Sequence, residues 1–327
     1  MKFCLAVIIA LLLFSVPPPP AAAEAALKKA TLMPLWSPQA QFAGYYVALK
    51  KGIYARHGID LTILKAGPGH SPVQALQNGS ADFAVLWLTT ALQHRSTGVS
   101  LVNLAQIVQR SSLMLISRKS SGIKTIADMN GKKVGMWGGD LSIPLRALIA
   151  QQGIKVHEVA QSQTVNLFLR GGIDVTAAMW YNEYHTLLNS GLDRDEMEVI
   201  FLHEQGMNFP EDGLYAMEET VRNDPGLAAA FVTASLAGWR YAFEHPDEAL
   251  DIVIGQMREE RVPANRIHQK WMLDRMRDLF APGSPQGRPG LLYRQDYEAV
   301  GCIMCIEGLI PSAPDYTVFT GGSDAGE

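Results

Sequence analysis

The sequence predicts an α/β protein of two similar lobes around a shared cleft. The first observation is Asn78-Gly-Ser-Ala-Asp-Phe-Ala-Val-Leu-Trp87: a glycine stop after a helical-looking segment, an aspartate, an apolar run that reads as a buried strand, and a closing tryptophan. The second is its echo, Arg170-Gly-Gly-Ile-Asp-Val-Thr-Ala-Ala-Met-Trp180. At a shift of 92 positions Gly79 falls on Gly171 and Asp82 on Asp174, while the tryptophans miss by one. The third is a pair of glycine-rich turns that each open a helix, at Gly67 and at Gly138. Repeated α/β units place a ligand where the strand tips of the two lobes face each other. Asp82 and Asp174 read as structural partners near turns rather than as ligand contacts.

Taken in order, Ala30 to Trp36 reads as a buried strand, and Gln39 to Lys51 has apolar residues at helical spacing up to Gly52. Tyr54 to His57 adds a turn closed by Gly58, and Ile59 to Leu64 is a strand. In Gly67-Pro-Gly-His-Ser-Pro-Val-Gln74, Ser71 suits an N-cap, Pro72 the first helical position, and Gln74 completes a capping box. Such a loop can present free backbone N–H groups to an anion or a ring-substituent oxygen. Equally, it reads as an ordinary well-capped connection.

Leu88 to His94 starts a helix. Val99 to Val108 and Ser112 to Ser117 read as strands, the second a crossing between lobes. Lys124 to Met129 is a short helix. Lys133 to Trp137 is a strand leading through Gly138-Gly139-Asp140 to a helix that Ser142-Ile-Pro144 opens and Gln152 ends. This unit lacks G-x-G-x-x-G and the acidic residue further on that a dinucleotide site needs. Thr164 to Arg170 and Tyr181 to Leu188 are helical, with strands at Ile173 to Met179 and Val199 to His203; Leu214 to Met217 is a second crossing. Asp224 caps a long amphipathic helix through Phe243, and Pro246 and Pro263 open two more. The boundaries expected are 27–112 plus 218–318 for the first lobe, 113–217 for the second, and a disordered tail over 319–327.

The chain has 327 residues and a net charge of −4, or −5 without Lys2. That is no footprint for nucleic acid and no polybasic membrane patch. Lys2, the apolar run Phe3 to Val16, the prolines 17–20 and Ala21-Ala22-Ala23 make a signal peptide over 1–23, cleaved near Ala23. Cys4 lies at the start of the apolar run and not after it, so there is no lipobox, and a free periplasmic protein is expected. Cys302 and Cys305 sit three apart on a helical run, Tyr297 to Leu309, and read as small buried apolar residues rather than a disulfide or redox pair.

Polar and aromatic residues gather at the expected strand tips. Trp36, Gln39, Gln41, Tyr45, Tyr46 and Trp87 belong to the first lobe; Trp137, Asp140, Trp180, Tyr181, Asn182, Glu183, Tyr184 and His185 to the second; and Asn208 and Asp212 to the return crossing. Adjacent on a helix, Tyr45 and Tyr46 cannot both face the cleft, and about two of the four tryptophans are expected to line it. Aromatic faces with an amide and a carboxylate suit a flat, nitrogen-rich ring whose exocyclic amine donates to an acidic oxygen. The Gly67, His70 and Ser71 loop is assigned a polar substituent of the ligand. There is no G-x-S-x-G, H-E-x-x-H, P-loop or paired C-x-x-C pattern, so binding outranks hydrolysis, and neither metal nor cofactor is expected.

Trp36-Ser-Pro-Gln-Ala-Gln-Phe-Ala-Gly-Tyr-Tyr-Val-Ala, Lys51-Gly-Ile-Tyr, Gly58-Ile-Asp-Leu, Gln77-Asn-Gly-Ser-Ala-Asp-Phe-Ala and Trp180-Tyr-Asn-Glu-Tyr resemble the substrate-binding proteins related to the fungal thiamine-pyrimidine synthases. The resemblance covers about residues 30 to 240. It implies a type II periplasmic binding protein fold, with two doubly wound α/β lobes joined by a two-strand hinge. It also implies a monomer that carries a small ligand to an ABC transporter permease at the inner membrane. Members bind formylaminopyrimidine, related pyrimidines, riboflavin, or sulfonates and similar anions; the aromatic-plus-acid cluster favours a pyrimidine. The fungal enzymes carry a cysteine-rich iron site, whereas this chain has no cysteine between Cys4 and Cys302. An iron- and pyridoxal-phosphate-dependent synthase and a sensor subunit are the alternatives.

Overall fold

The computed structural model describes residues 26–280 and 288–322. The expected signal peptide and the last residues of the expected tail lie outside the described residues. Among the described residues ten strands form two five-stranded mixed sheets. The first holds β1 (Lys28–Met33), β2 (Ile59–Ile63), β3 (Phe83–Trp87), β4 (Leu101–Gln106) and, last in sequence, β10 (Asp212–Met217); the second holds β5 (Leu113–Arg118), β6 (Lys133–Met136), β7 (His157–Ala160), β8 (Val175–Met179) and β9 (Met197–Phe201). Their orders, β2-β1-β3-β10-β4 and β7-β6-β8-β5-β9, have the same plan. Three parallel strands are followed by an antiparallel fourth, which has just arrived from the other sheet.

The chain therefore crosses ahead of the strands expected to do so, through 107–112 and 202–211. The return to the first sheet precedes the expected boundary at 217, because β10 pairs with both β3 and β4. The two crossings bond to each other: Ile107 N and Val108 N donate to Asp212 O, and Glu211 N donates to Val108 O.

The repeat legible in the sequence has a structural cause. Asp82 Oδ2 accepts from Thr31 N at 2.8 Å and from Thr31 Oγ1 at 2.7 Å, tying β3 to β1. Asp174 Oδ2 accepts from Lys133 N at 2.8 Å, tying the start of β8 to β6. Gly79 and Gly171 stand at φ +73° and +72°, which only glycine adopts without strain.

The first lobe's core is aromatic. Phe83 stacks on Phe231 at 3.9 Å, and Trp239, fully buried, meets Tyr45, Phe243 and Phe280. The Pro225–Glu244 helix starts at Asp224, whose side chain accepts from Leu227 N. The edge strand β7 has no counterpart in the sequence reading, since its residues are mostly exposed and lack the apolar alternation that marks a strand. Two expectations are corrected. Phe319, assigned to a disordered tail, is buried and ends the Tyr316–Phe319 helix. Cys302 is exposed and Cys305 only half-buried, both free, because they lie on the outer side of the Arg294–Ile306 helix. Among the described residues no helix is long and apolar enough to cross a membrane.

Candidate functional site

The C-terminal tips of the parallel strands converge on one cavity of about 340 Å³. Leu35 and Trp36 follow β1, and Trp87 ends β3. Trp137 follows β6, Met179 ends β8, and Tyr181, Asn182 and Glu183 come next. Gln39, Gln41, Leu141 and Gln163 complete the lining. Three indoles thus border one space, and no Lys, Arg or His is among the described lining residues.

In the first wall, Gln39 Nε2 donates to Gln41 Oε1 at 2.6 Å, and Gln41 Nε2 donates to Asp212 Oδ2 at 2.8 Å. Asp212 sits opposite Trp87 in the β3–β10 register and is 2 % exposed. Among the described residues its Oδ1 has no hydrogen-bond partner, nor does Trp87 Nε1. Burial pushes the Asp212 carboxyl up to about 7. Gln41 and the nearby indole N–H of Trp87, which falls short of a formed hydrogen bond, offset part of the rise.

In the second wall, Trp137 Nε1 donates to Ser162 O at 3.1 Å, which fixes the indole. Glu183 Oε2 accepts from Met179 N at 3.0 Å and Oε1 accepts from Asn182 Nδ2 at 2.8 Å. Burial raises Glu183 to about 7, against these donors. Thr90, from the Leu88–Ser96 helix, donates to Asp140 of the facing lobe beside the cavity.

The structure brings together Trp36, Gln41, Trp87, Trp137, Tyr181, Asn182 and Glu183, with Asp212 directly behind Gln41. It sets the others apart. Tyr45 and Tyr46 are both buried, and Tyr45 packs edge-on to Trp239. Gly67 backs onto Ser37, where a Cβ would lie 2.5 Å from the hydroxyl oxygen. Exposed His70 and the helix cap Ser71 do not line the cavity. Trp180 packs edge-on to Phe201 under the guanidinium of Arg275. Asn208 joins the crossings, accepting from Ser111 N and donating to Gln109 O. Leu35, Leu141, Gln163 and Met179 were not anticipated. Gln163 follows β7, the strand with no apolar signal, whereas Met179 was within reach: 92 positions after Trp87 is residue 179, not Trp180.

Two α/β lobes with a cavity at their facing strand tips define the periplasmic binding protein fold. Crystallised aliphatic sulphonate binding protein SsuA from Escherichia coli shares it, with a TM-score of 0.69 at 16% identity over 89% of this chain and 91% of that one. Residues 39–249 match the family described as NMT1/THI5 like, and the chain belongs to it. Over 245 residues it is 24% identical to a formylaminopyrimidine-binding protein of Halalkalibacterium halodurans, covering 73% of each chain. It is 27% identical over 236 residues to riboflavin-binding protein RibY of Chloroflexus aurantiacus, 69% of this chain and 66% of that one. A relative in Legionella pneumophila, 23% identical over 250 residues (72% and 76% of the chains), is named a 4-amino-5-hydroxymethyl-2-methylpyrimidine phosphate synthase.

Proposed function

We propose that this protein is a non-enzymatic periplasmic binding protein that delivers a thiamine-precursor pyrimidine, such as formylaminopyrimidine, to an ABC importer. The observation that carries the reading is a cavity bordered by three indoles, three glutamines, Asn182 and Glu183, with no cationic side chain among its described lining residues. A sulfonate has a full charge to neutralise, and such a lining supplies none. A neutral aromatic ring can stack on Trp36, Trp87 or Trp137 while Asn182 and Glu183 receive its exocyclic amine. The lobes would close over it by a hinge at 107–112 and 202–211.

Tryptophan fluorescence titration tests this. Formylaminopyrimidine is expected to bind saturably, while an alkanesulfonate leaves the signal flat; the reverse result would replace the reading. Glu183→Gln exchanges one acceptor oxygen for a donor and is expected to weaken pyrimidine binding about tenfold, from the loss of one charge-assisted hydrogen bond. An unchanged affinity would remove Glu183 from the role. Absorbance free of pyridoxal or iron bands in the purified protein is the result that binding without synthesis requires.

A further inference from the structure

We infer that the Arg266–Phe280 helix is a latch across the mouth of the cleft, with His268 as a positioning residue that holds Asn182, and with it the second wall, in the closed arrangement. The inference rests on the binding role proposed above for the identity of the retained ligand, not for the latch itself.

One helix touches both walls. It packs on the Ala40–Phe42 turn and on the Pro225–Glu244 and Pro246–Glu259 helices of the first lobe. There Gln269 Oε1 accepts from Ala40 N at 2.7 Å, beside the cavity-lining Gln41. The neighbouring residue reaches the opposite wall: His268 Nε2 stands 2.9 Å from Asn182 Oδ1. Because the amide oxygen only accepts, the imidazole must donate. Asn182 passes the contact on, its Nδ2 donating to Glu183 Oε1. Three residues along, Trp271 Nε1 donates to Trp180 O at 2.8 Å, and Arg275 covers both indoles at 4.7 and 4.8 Å. The helix lies beyond residue 249, where the family match ends, so the latch is outside the matched segment.

A second imidazole, facing the other ring nitrogen of His268, makes the placement of that ring sensitive to protons. His185 stacks on Trp271 at 5.0 Å, and its Nδ1 lies 2.9 Å from His268 Nδ1, with Asn189 Nδ2 at 3.1 Å. With the His268 proton on Nε2, the neutral pair is joined by the Nδ1 proton of His185, which leaves no lone pair there for Asn189 Nδ2, so the amide is a neighbour and not a bonded donor. The charged groups nearby are Glu183, reached only through Asn182, and the guanidiniums of Arg194 and Arg275 on the Trp271 ring; Tyr184 flanks the same ring. No carboxylate among the described residues bonds to either imidazole. Burial and the facing His185 hold His268 down at about 4. A histidine with a lowered closed-state pKa favours closure above its ordinary value of about 6.5 and gives that up as pH falls towards the closed-state value.

Small-angle scattering of the ligand-free protein, with stopped-flow release of formylaminopyrimidine, tests the latch. At pH 7.5 the wild type is expected to be more compact than at pH 5. His268→Ala should be as expanded at pH 7.5 as the wild type is in acid, and Asn182→Ala, which cuts the bond from the other wall, should match it. His268→Gln keeps a donor that does not titrate and should stay compact at both values. Any acid expansion that persists in His268→Gln belongs to other groups and counts against the latch. Release should be about tenfold faster from His268→Ala and within about threefold of wild type from His268→Gln, as a coupling of this size implies. Equal radii for wild type and His268→Ala at pH 7.5 would overturn the proposal. If the wild type takes no pyrimidine, the ligand reading fails alone and scattering still decides the latch.

Discussion

Gly238→Ala is expected to lower stability by about 3 kcal/mol or more, the upper part of the range for overpacking a rigid interior. Gly238 lies where the Pro225–Glu244 helix crosses the Ala43–Lys50 helix. A Cβ there would stand 2.2 Å from Gly44 O and 2.6 Å from Ala48 Cβ. Neither neighbour is the free end of a flexible chain, so the helices themselves must separate. They cannot do so locally, because Trp239 next door is fully buried among Tyr45, Phe243 and Phe280. The Ala43–Lys50 helix continues directly from the turn that carries Gln41, so the same variant should also weaken ligand binding. Gly255→Ala is the control. Gly255 lies inside the Pro246–Glu259 helix, where an added Cβ would meet nothing within 4 Å, and alanine should stabilise by about 0.5–1 kcal/mol through helix propensity and lower unfolded-state entropy. Equal melting temperatures for the two variants would contradict the packing argument.

What the sequence discloses is whatever local chemistry determines. Ser71 and Asp224 were recognisable as caps because a cap needs only its own side chain and the next turn. The paired aspartates were recognisable because each lobe repeats the same strand-tying bond. Side-chain direction at a strand tip is harder, since one step along the chain turns a residue to the opposite face. Trp87 is the last residue of β3, while Trp180 lies one beyond β8, so Met179 takes the cavity position and Trp180 turns outward. The single-residue mismatch in the repeat held that information. Long-range pairs leave no such trace. Gln41 meets Asp212 across 171 residues, and His268 meets Asn182 across 86, through packing that no spacing rule encodes.

Three buried carboxylates at the junction of the lobes make stability rise as alkaline solution is brought toward neutrality. Glu211 accepts from Ser112 N at 2.6 Å and from the Ser112 and Ser111 hydroxyls, yet burial dominates and lifts it to about 8, with Asp212 adding to the rise. Burial likewise raises Asp212 and Glu183 to about 7. The unfolded chain would titrate them near 4, so between pH 8.5 and 6.5 the folded state binds protons that the unfolded state does not. Folding therefore gains stability as pH falls through that window, on the order of 3 kcal/mol for the three groups together. For a chain of this size that corresponds to a rise in Tm of about 5 °C, readable by calorimetry. His268, whose folded value is lowered, acts in the opposite sense but only below about 6.5, outside the window. Glu211→Gln keeps an acceptor for Ser112 N without a titrating group, and should raise Tm at pH 8.5 while flattening the slope. A wild-type Tm that falls from pH 8.5 to 6.5, or a slope untouched by that substitution, would show that these carboxyls are ionised and solvated in the folded protein.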